Sequence, residues 1–253
     1  MENQITMLNL PDGRQVAFVD WSDKPLYSSC DLQAGFADQN IDLFQYTAGD
    51  PVAKSTNITT PRQSTEADTN MATPGAMAST EEMFVYSIQP EYIEQRLITA
   101  GDATTGIDFY VNQPRPAIKR LAVLQQRLSL VLDVSQKWNM QASLATFNSG
   151  FGAFGGTLLS PGGFGVGEAP GATSLRSGAS AGYPSQEAVR QFAIPVFIGG
   201  QEKWRVSLYN FTGTAVPSGE LEDEVPGNTP GSDANIMHTI RIWLYGLYKR
   251  PTA

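Results

Sequence analysis

The sequence predicts a mainly β protein, a β-sandwich or jelly roll with long loops and one or two short helices. Three observations lead there. Several short runs alternate apolar and polar residues, the two-residue period of a half-buried strand. Long stretches rich in Gly, Pro and Thr separate those runs. Neither a βαβ alternation nor a heptad repeat appears. Residues 1–253 therefore read as a single domain around one core.

Taken in order, Val16 and Phe18 alternate after a Pro11-Asp12-Gly13 turn and open the first strand. Ile41, Leu43, Phe44 and Tyr46 form a second run, closed by Gly49-Asp50-Pro51. Residues 52–78 are rich in Thr, Ser, Asn, Ala and Pro and read as an extended arm or a long surface loop. Ser79-Thr80-Glu81-Glu82 fits a helix capping box, yet Phe84-Val85-Tyr86-Ser87-Ile88 alternates as a strand does, so both readings stand. The spacing of Ile118, Leu121, Leu124 and Leu128 predicts a helix over 116–128, with Pro116 near its start. The period then changes to two along Leu128, Leu130, Leu132 and Val134, and Met140 to Phe147 continues the sheet.

Beyond Gly182 the strand pattern is clearest. Phe192 to Ile198 and Lys203 to Phe211, separated by Gly199-Gly200-Gln201, read as a hairpin, with Pro195 moving its strand towards an edge or a bulge. Residues 212–235 form a polar loop. His238 to Tyr248 is a strongly apolar last strand, expected inside a sheet.

Composition narrows the function. Charged residues make up 17% of the chain, below the roughly 25% of an average globular protein, so much of the surface is expected to meet partners. A net charge of −8 disfavours general nucleic-acid binding; Arg115, Lys119, Arg120 and Arg127 form the one basic cluster. With one cysteine, Cys30, and one histidine, His238, there is neither an intrachain disulfide nor a Cys- or His-rich metal site. Both read as buried structural residues. No segment has the length and apolarity of a membrane span, and the N-terminus lacks the regions of a signal peptide, which points to synthesis in a cytosol. Two glycosylation sequons, at Asn57 and Asn210, are then chance matches.

Each candidate constellation has a plain alternative. Gly178-Ala-Ser180-Ala-Gly182 matches a nucleophile elbow, with Asp223 or Asp233 and His238 downstream, but its flanks are neither a buried strand nor a helix. Gly163-Phe-Gly165-Val-Gly167 lacks the Lys-Ser/Thr of a phosphate loop. Glu220, Glu222, Asp223 and Glu224 could offer oxygens to Ca²⁺ but read more simply as a solvated acidic surface. Asp20, Asp23, Asp31, Asp38 and Asp42 are numerous enough for some pair to be close by chance. Trp138, Trp204, Trp243, Tyr209, Tyr245 and Tyr248 could build a sugar platform; core and interface packing is the commoner use of such residues. No catalytic residue and no cofactor is expected.

The region 149–182 is the most distinctive. Eleven of its thirty-four residues are glycine and only Glu168 and Arg176 carry charge. A soluble monomer rarely leaves such an apolar loop in water. Phe151, Phe154, Leu158, Leu159, Phe164 and Val166 are therefore the candidate subunit interface. With its arm-like segment, loop-rich body and final apolar strand before Lys249-Arg250-Pro251, the chain resembles jelly-roll virion proteins of viruses and phages in general character. No signature motif carries the likeness, and no residue role transfers. The resemblance implies a self-assembling capsid subunit, found in the virion after synthesis in a host cytoplasm, with copies of itself and other virion proteins as partners. Two other classes remain: a carbohydrate- or receptor-binding β-sandwich of a fibre or tail, and a serine hydrolase using Ser180.

Overall fold

The computed structural model describes residues 7–33, 35–96, 123–147, 158–161, 175–178, 190–216 and 236–249. In chain order the strands are β1 (Met7–Asn9), β2 (Gln15–Ala17), β3 (Trp21–Asp23), β4 (Leu26–Leu32), β5 (Asn40–Leu43), β6 (Ala53–Lys54) and β7 (Met83–Arg96). They continue with β8 (Leu128–Val134), β9 (Lys137–Ser143), β10 (Leu158–Pro161), β11 (Leu175–Gly178), β12 (Arg190–Ile198), β13 (Trp204–Asn210) and β14 (Ile236–Lys249). A short helix occupies 123–127, and Phe18–Asp20 and Leu144–Phe147 are 3₁₀ turns. The protein is mainly β, with several sheets.

The largest sheet runs β12-β7-β14-β4-β6, and β3 continues the line of β4 along the far half of β14. A second sheet runs β5-β13-β8-β9. All neighbours in both are antiparallel except β4 and β6. The apolar strand ending the chain does lie inside a sheet. β14 is paired along nearly its whole length with β7 and, on its other side, with β4 and β3.

The two sheets contribute to one buried cluster. Cys30 and Leu32 on β4, Ile240, Ile242 and Leu244 on β14, Val206 and Leu208 on β13, and Leu130 and Leu132 on β8 all belong to it. Each is at most 2% exposed, and burying one such side chain contributes about 1.5–3 kcal/mol. The predicted alternation in β8, β13 and β14 is the reason: every second side chain falls in this cluster.

Tyr86 is an extra residue on β7. Tyr245 of β14 pairs with Ser87 but the next residue, Gly246, pairs with Val85. The insertion flips the side-chain alternation of β7, so Met83 and Val85 on one side of it and Ile88 on the other all reach the core. It also brings the Phe84 carbonyl against Gly246, where a Cβ would lie 1.9 Å from that oxygen. Only glycine fits there. Phe84 itself turns to the opposite face, where Leu10 and Trp21 form a smaller cluster with it, packed by Leu8, Val16, Tyr86 and Leu247. The β1–β2 hairpin thus covers the outer face of the large sheet.

One open reading is resolved, and two local expectations differ from the structure. Ser79 to Glu82 starts no helix: the Glu81 carboxylate accepts the Ala78 N–H at 3.1 Å in a turn, and the alternating run wins as β7. In the described part of 116–128 the helix ends at 127, and Leu128 already belongs to β8. β12 and β13 do not form a hairpin. β12 pairs with β7, while β13 pairs with β5 and β8 in the other sheet. The turn between them is held by the 75–78 segment, through Gln201 N–H to Met77 O at 3.0 Å and Trp204 N–H to Gly75 O at 3.1 Å. Both flanking strands carry core residues, Ile198 and Trp204, so the chain changes sheets here instead of folding back.

Gly246→Ala should cost about 3 kcal/mol and lower Tm by roughly 6–12 °C, because backbone must move on both β7 and β14. A thermal melt of the variant checks this; an unchanged Tm would contradict the register at Tyr86.

Candidate functional site

The two edges of the large sheet are treated in opposite ways. At one edge the segment 51–78, which contains β6, closes over β4. It is a loop folded onto its own chain, not a free arm: Val52, Ile58, Met71 and Met77 are buried in it. Asn70 accepts the Tyr27 N–H at 3.0 Å and donates to Pro25 O at 2.7 Å, replacing sheet hydrogen bonds along β4. Arg62 forks between two carboxylates, reaching Asp31 at 2.7 and 3.3 Å and Asp68 at 2.7 Å from both of its terminal nitrogens. Asp31 also accepts the Thr239 hydroxyl at 2.7 Å, which ties the loop to β14. Burial alone would raise the Asp68 carboxyl; the Arg62 guanidinium and the Thr65 N–H and hydroxyl outweigh it and hold it below 3.8. Hydrogen bonding to Asp68 raises Arg62 in turn.

The other edge is β12, which pairs with β7 and with no second described strand. Between Gln191 and Val196 the strand bulges, residues 192–195 lying opposite Tyr86 alone. Ile194 on this bulge is 81% exposed and Phe197 40%. Phe197 meets Phe84 in a tilted ring contact at 4.9 Å, and the Arg14 guanidinium from the β1–β2 turn lies 5.6 Å from its ring centre. Arg14 is held by Glu82 at 2.9 Å, and Glu82 also takes Lys249 at 3.2 Å. Next to the hairpin, Phe18 and Val19 are 57% and 69% exposed and Met7 is 54%. The Pro195 ring removes one backbone donor and the bulge distorts the ladder, so this edge is poorly suited to strand addition. It offers side chains instead.

A cleft of about 560 Å³ opens at the end of the smaller sheet. The β8–β9 turn at Ser135 and Gln136, both with positive φ, forms one side. The strap at Pro74, Gly75 and Ala76 forms another, with the start of β13 between them. Gly75 is needed here: its φ is +64° and a Cβ would meet the Gln45 amide at 2.5 Å. That amide donates to Trp204 O at 3.1 Å. Asp133 and Arg205, opposite each other on β8 and β13, pair at 3.3 Å through Asp133 Oδ2. Arg205 also meets Asp42 at 3.3 Å. Asp133 Oδ1 and Trp204 Nε1 are buried with no hydrogen-bond partner among the described residues.

Of the candidate interface residues, Leu158 and Leu159 lie on β10, which pairs with β11 in a separate two-stranded ribbon. Phe151, Phe154, Phe164 and Val166 lie outside the described residues, as do Ser180, residues 163–167, the acidic run 220–224, Asp233, and Arg115, Lys119 and Arg120. Gly178 ends β11. His238 is fully buried on β14, with Tyr92 Oη 2.8 Å from its Nδ1. Cys30 is buried, and burial pushes its thiol pKa up. Trp204 and Tyr248 are core residues, whereas Trp243 meets Tyr27 in a tilted contact at 4.7 Å and stacks on Tyr245 at 6.3 Å. The early aspartates split up: Asp31 binds Arg62, Asp38 accepts the Thr56 N–H at 3.0 Å, and Asp42 accepts the Ser207 hydroxyl at 2.5 Å. Among the described residues no three acids, His or Cys are placed to hold a metal, and no helix is long and apolar enough to cross a membrane. The sequence reading missed Asp133, Arg205 and Ile194; the only available signal was Pro195, which marked β12 as an edge.

No protein-family model, curated protein or solved structure matches this chain.

Arg62→Ala leaves two buried carboxylates without their cation and should cost about 3 kcal/mol at neutral pH. The Asp68 share of that stability is complete above pH 3.8 and is lost as pH falls through its lowered folded value. Urea melts from pH 7 to pH 2 should therefore show a steeper acid loss in the parent than in the variant. Parallel curves would contradict the role of the pair.

Proposed function

We propose that this protein is a non-enzymatic structural subunit of a large symmetric assembly, the capsid or virion of a virus or phage. In this reading the two larger sheets form a β-sandwich of the jelly-roll kind, and copies of the chain, with other virion proteins, are its partners. The observation that carries the reading is the β12 edge. A chain that folds a whole loop, with a part-buried ion-pair network, over one edge of its main sheet leaves Ile194 and Phe197 in water at the other. Exposed apolar residues grouped on one element mark interaction surfaces more often than chance. The low charged fraction of 17% fits the same picture, since it leaves less polar surface to solvate a monomer.

The contact works through side chains. Ile194 on the bulge, Phe197, and the neighbouring Phe18 and Val19 insert into a facing subunit, while Pro195 keeps the edge from pairing indiscriminately. The apolar residues of the glycine-rich region, Phe151, Phe154, Leu158, Leu159, Phe164 and Val166, supply a second contact. Ordering such a loop costs about 1–2 kcal/mol per residue of backbone entropy, which apolar burial at ~25 cal/mol per Å² must offset. Large side chains spaced by glycine suit that balance. The mature location is the virion, reached after synthesis in the host cytoplasm.

Sedimentation velocity of the purified full chain tests the reading. The parent should run as large particles or defined oligomers. Ile194→Asp, a change at an exposed position expected to alter stability by under about 0.5 kcal/mol, should shift it to slower species while Tm is kept. A parent that stays monomeric at high concentration, or a variant that assembles as the parent does, would contradict it.

A further inference from the structure

We propose that the outer face of the large sheet, at Trp243, Tyr245 and Glu91, binds a neutral saccharide. The site is built within one chain, from β4, β7 and β14, and does not depend on subunit assembly.

Strand alternation places the residues. Ile240, Ile242 and Leu244 of β14 enter the core, so Arg241, Trp243 and Tyr245 lie on the opposite face. The register sets Tyr27 of β4 and Gln89 of β7 on either side of Trp243, and Ser29 and Glu91 on either side of Arg241. The strip is closed at both ends. At one, Thr239 holds Asp31, which binds Arg62 of the 51–78 loop. At the other, Leu247 packs with the β1–β2 hairpin. Between them Tyr27, Gln89, Glu91, Arg241, Trp243 and Tyr245 are all half-buried. Trp243 lies 4.7 Å from Tyr27 and 6.3 Å from Tyr245, ring centre to ring centre, so the three rings make one apolar surface. Such rings bring large area and an electron-rich π system, which suits the C–H groups of a sugar ring.

The polar groups are fixed before a ligand arrives. Trp243 Nε1 and Arg241 both donate to Glu91 Oε2, at 3.0 and 3.2 Å, and Arg241 Nε donates to Ser29 Oγ at 3.3 Å. Glu91 uses one oxygen for both donors, and its side chain is 38% exposed, which leaves Oε1 to accept from a ligand hydroxyl. The Gln89 amide both donates and accepts. Burial, with Glu91 and Asp23 nearby, raises the Tyr245 phenol, so it stays protonated and able to donate. Hydroxyl groups match this mixture, because each donates and accepts.

Charge narrows the choice further. The Arg241 guanidinium lies 5.7 Å from the Trp243 ring centre, so a cationic ligand would meet a like charge at the ring that should hold it. An anion would meet the Glu91 carboxylate. Arg241 and Glu91 offset each other, and a neutral polyhydroxylated ligand avoids both penalties.

Isothermal calorimetry on the full chain tests this with glucose, galactose, N-acetylglucosamine, cellobiose and lactose, and with tetramethylammonium chloride and sodium sulfate as contrasts. The expected result is saturable binding of at least one sugar. Glu91→Gln and Trp243→Phe should each weaken it about tenfold or more, the loss of a charged or indole hydrogen bond, while Tm moves by only a few degrees. If Trp243→Phe fails to fold, Glu91→Gln decides alone. Ile194→Asp, which alters the β12 edge, should bind the sugar as the parent does, so a failure of assembly and a failure of this site are distinguishable. Four results would overturn the proposal. They are no sugar bound with Kd below about 10 mM, ten times weaker than a millimolar site; equal binding to parent and Glu91→Gln; loss of binding in Ile194→Asp; or a response to tetramethylammonium or sulfate alone.

Discussion

The pairing of β14 is the constraint on which the rest of the structure depends. This fourteen-residue strand is the last described element, yet it joins the early strands β3 and β4 to the middle strand β7. Its inward residues Ile240, Ile242 and Leu244 sit in the core shared with the second sheet. Its outward Thr239 holds Asp31, and through Asp31 the Arg62 fork that secures the 51–78 loop. Gly246 lets β7 carry the Tyr86 insertion, and that insertion sets which side chains of β7 reach the core and which meet the β1–β2 hairpin. The same insertion faces the β12 bulge that raises Ile194 into solvent. The insertion on β7, the edge closure and the exposed apolar edge all trace to β14 and the strands paired along it.

That chain of dependence gives the functional account its shape. Edge strands are hazards for a soluble protein because their free backbone groups can recruit any other strand. Here one edge is closed by a loop and a part-buried guanidinium–carboxylate network. The other is altered by a bulge and a proline, yet keeps large apolar side chains in water. Protection of the backbone combined with exposure of side chains favours contact with a shaped partner over open-ended strand addition.

Much of the β architecture was legible in the sequence because strand periodicity is local. The alternation along Leu128 to Val134, Trp204 to Asn210 and His238 to Tyr248 located β8, β13 and β14, and the apolarity of the last placed it inside a sheet. Pairing partners were not legible. The Gly199-Gly200-Gln201 turn looks like a hairpin turn, and only the distant strap at 75–78 reveals that the chain changes sheets there. The 52–78 segment read as an extended arm or a long surface loop because its composition is polar; its order rests on Arg62 meeting Asp31 and Asn70 meeting Tyr27 and Pro25, contacts far apart in the chain. The cleft was hidden for the same reason, since Gln45, Gly75, Asp133 and Trp204 come from four separate segments. Most of the candidate interface in the glycine-rich region lies outside the described residues, and the exposed edge that supports the same function was signalled only by Pro195.

Electron microscopy of the purified full chain tests the central claim most directly. The account predicts closed particles or regular arrays of uniform size built from this chain. A field of single, separate subunits that persists across salt and protein concentration would contradict it.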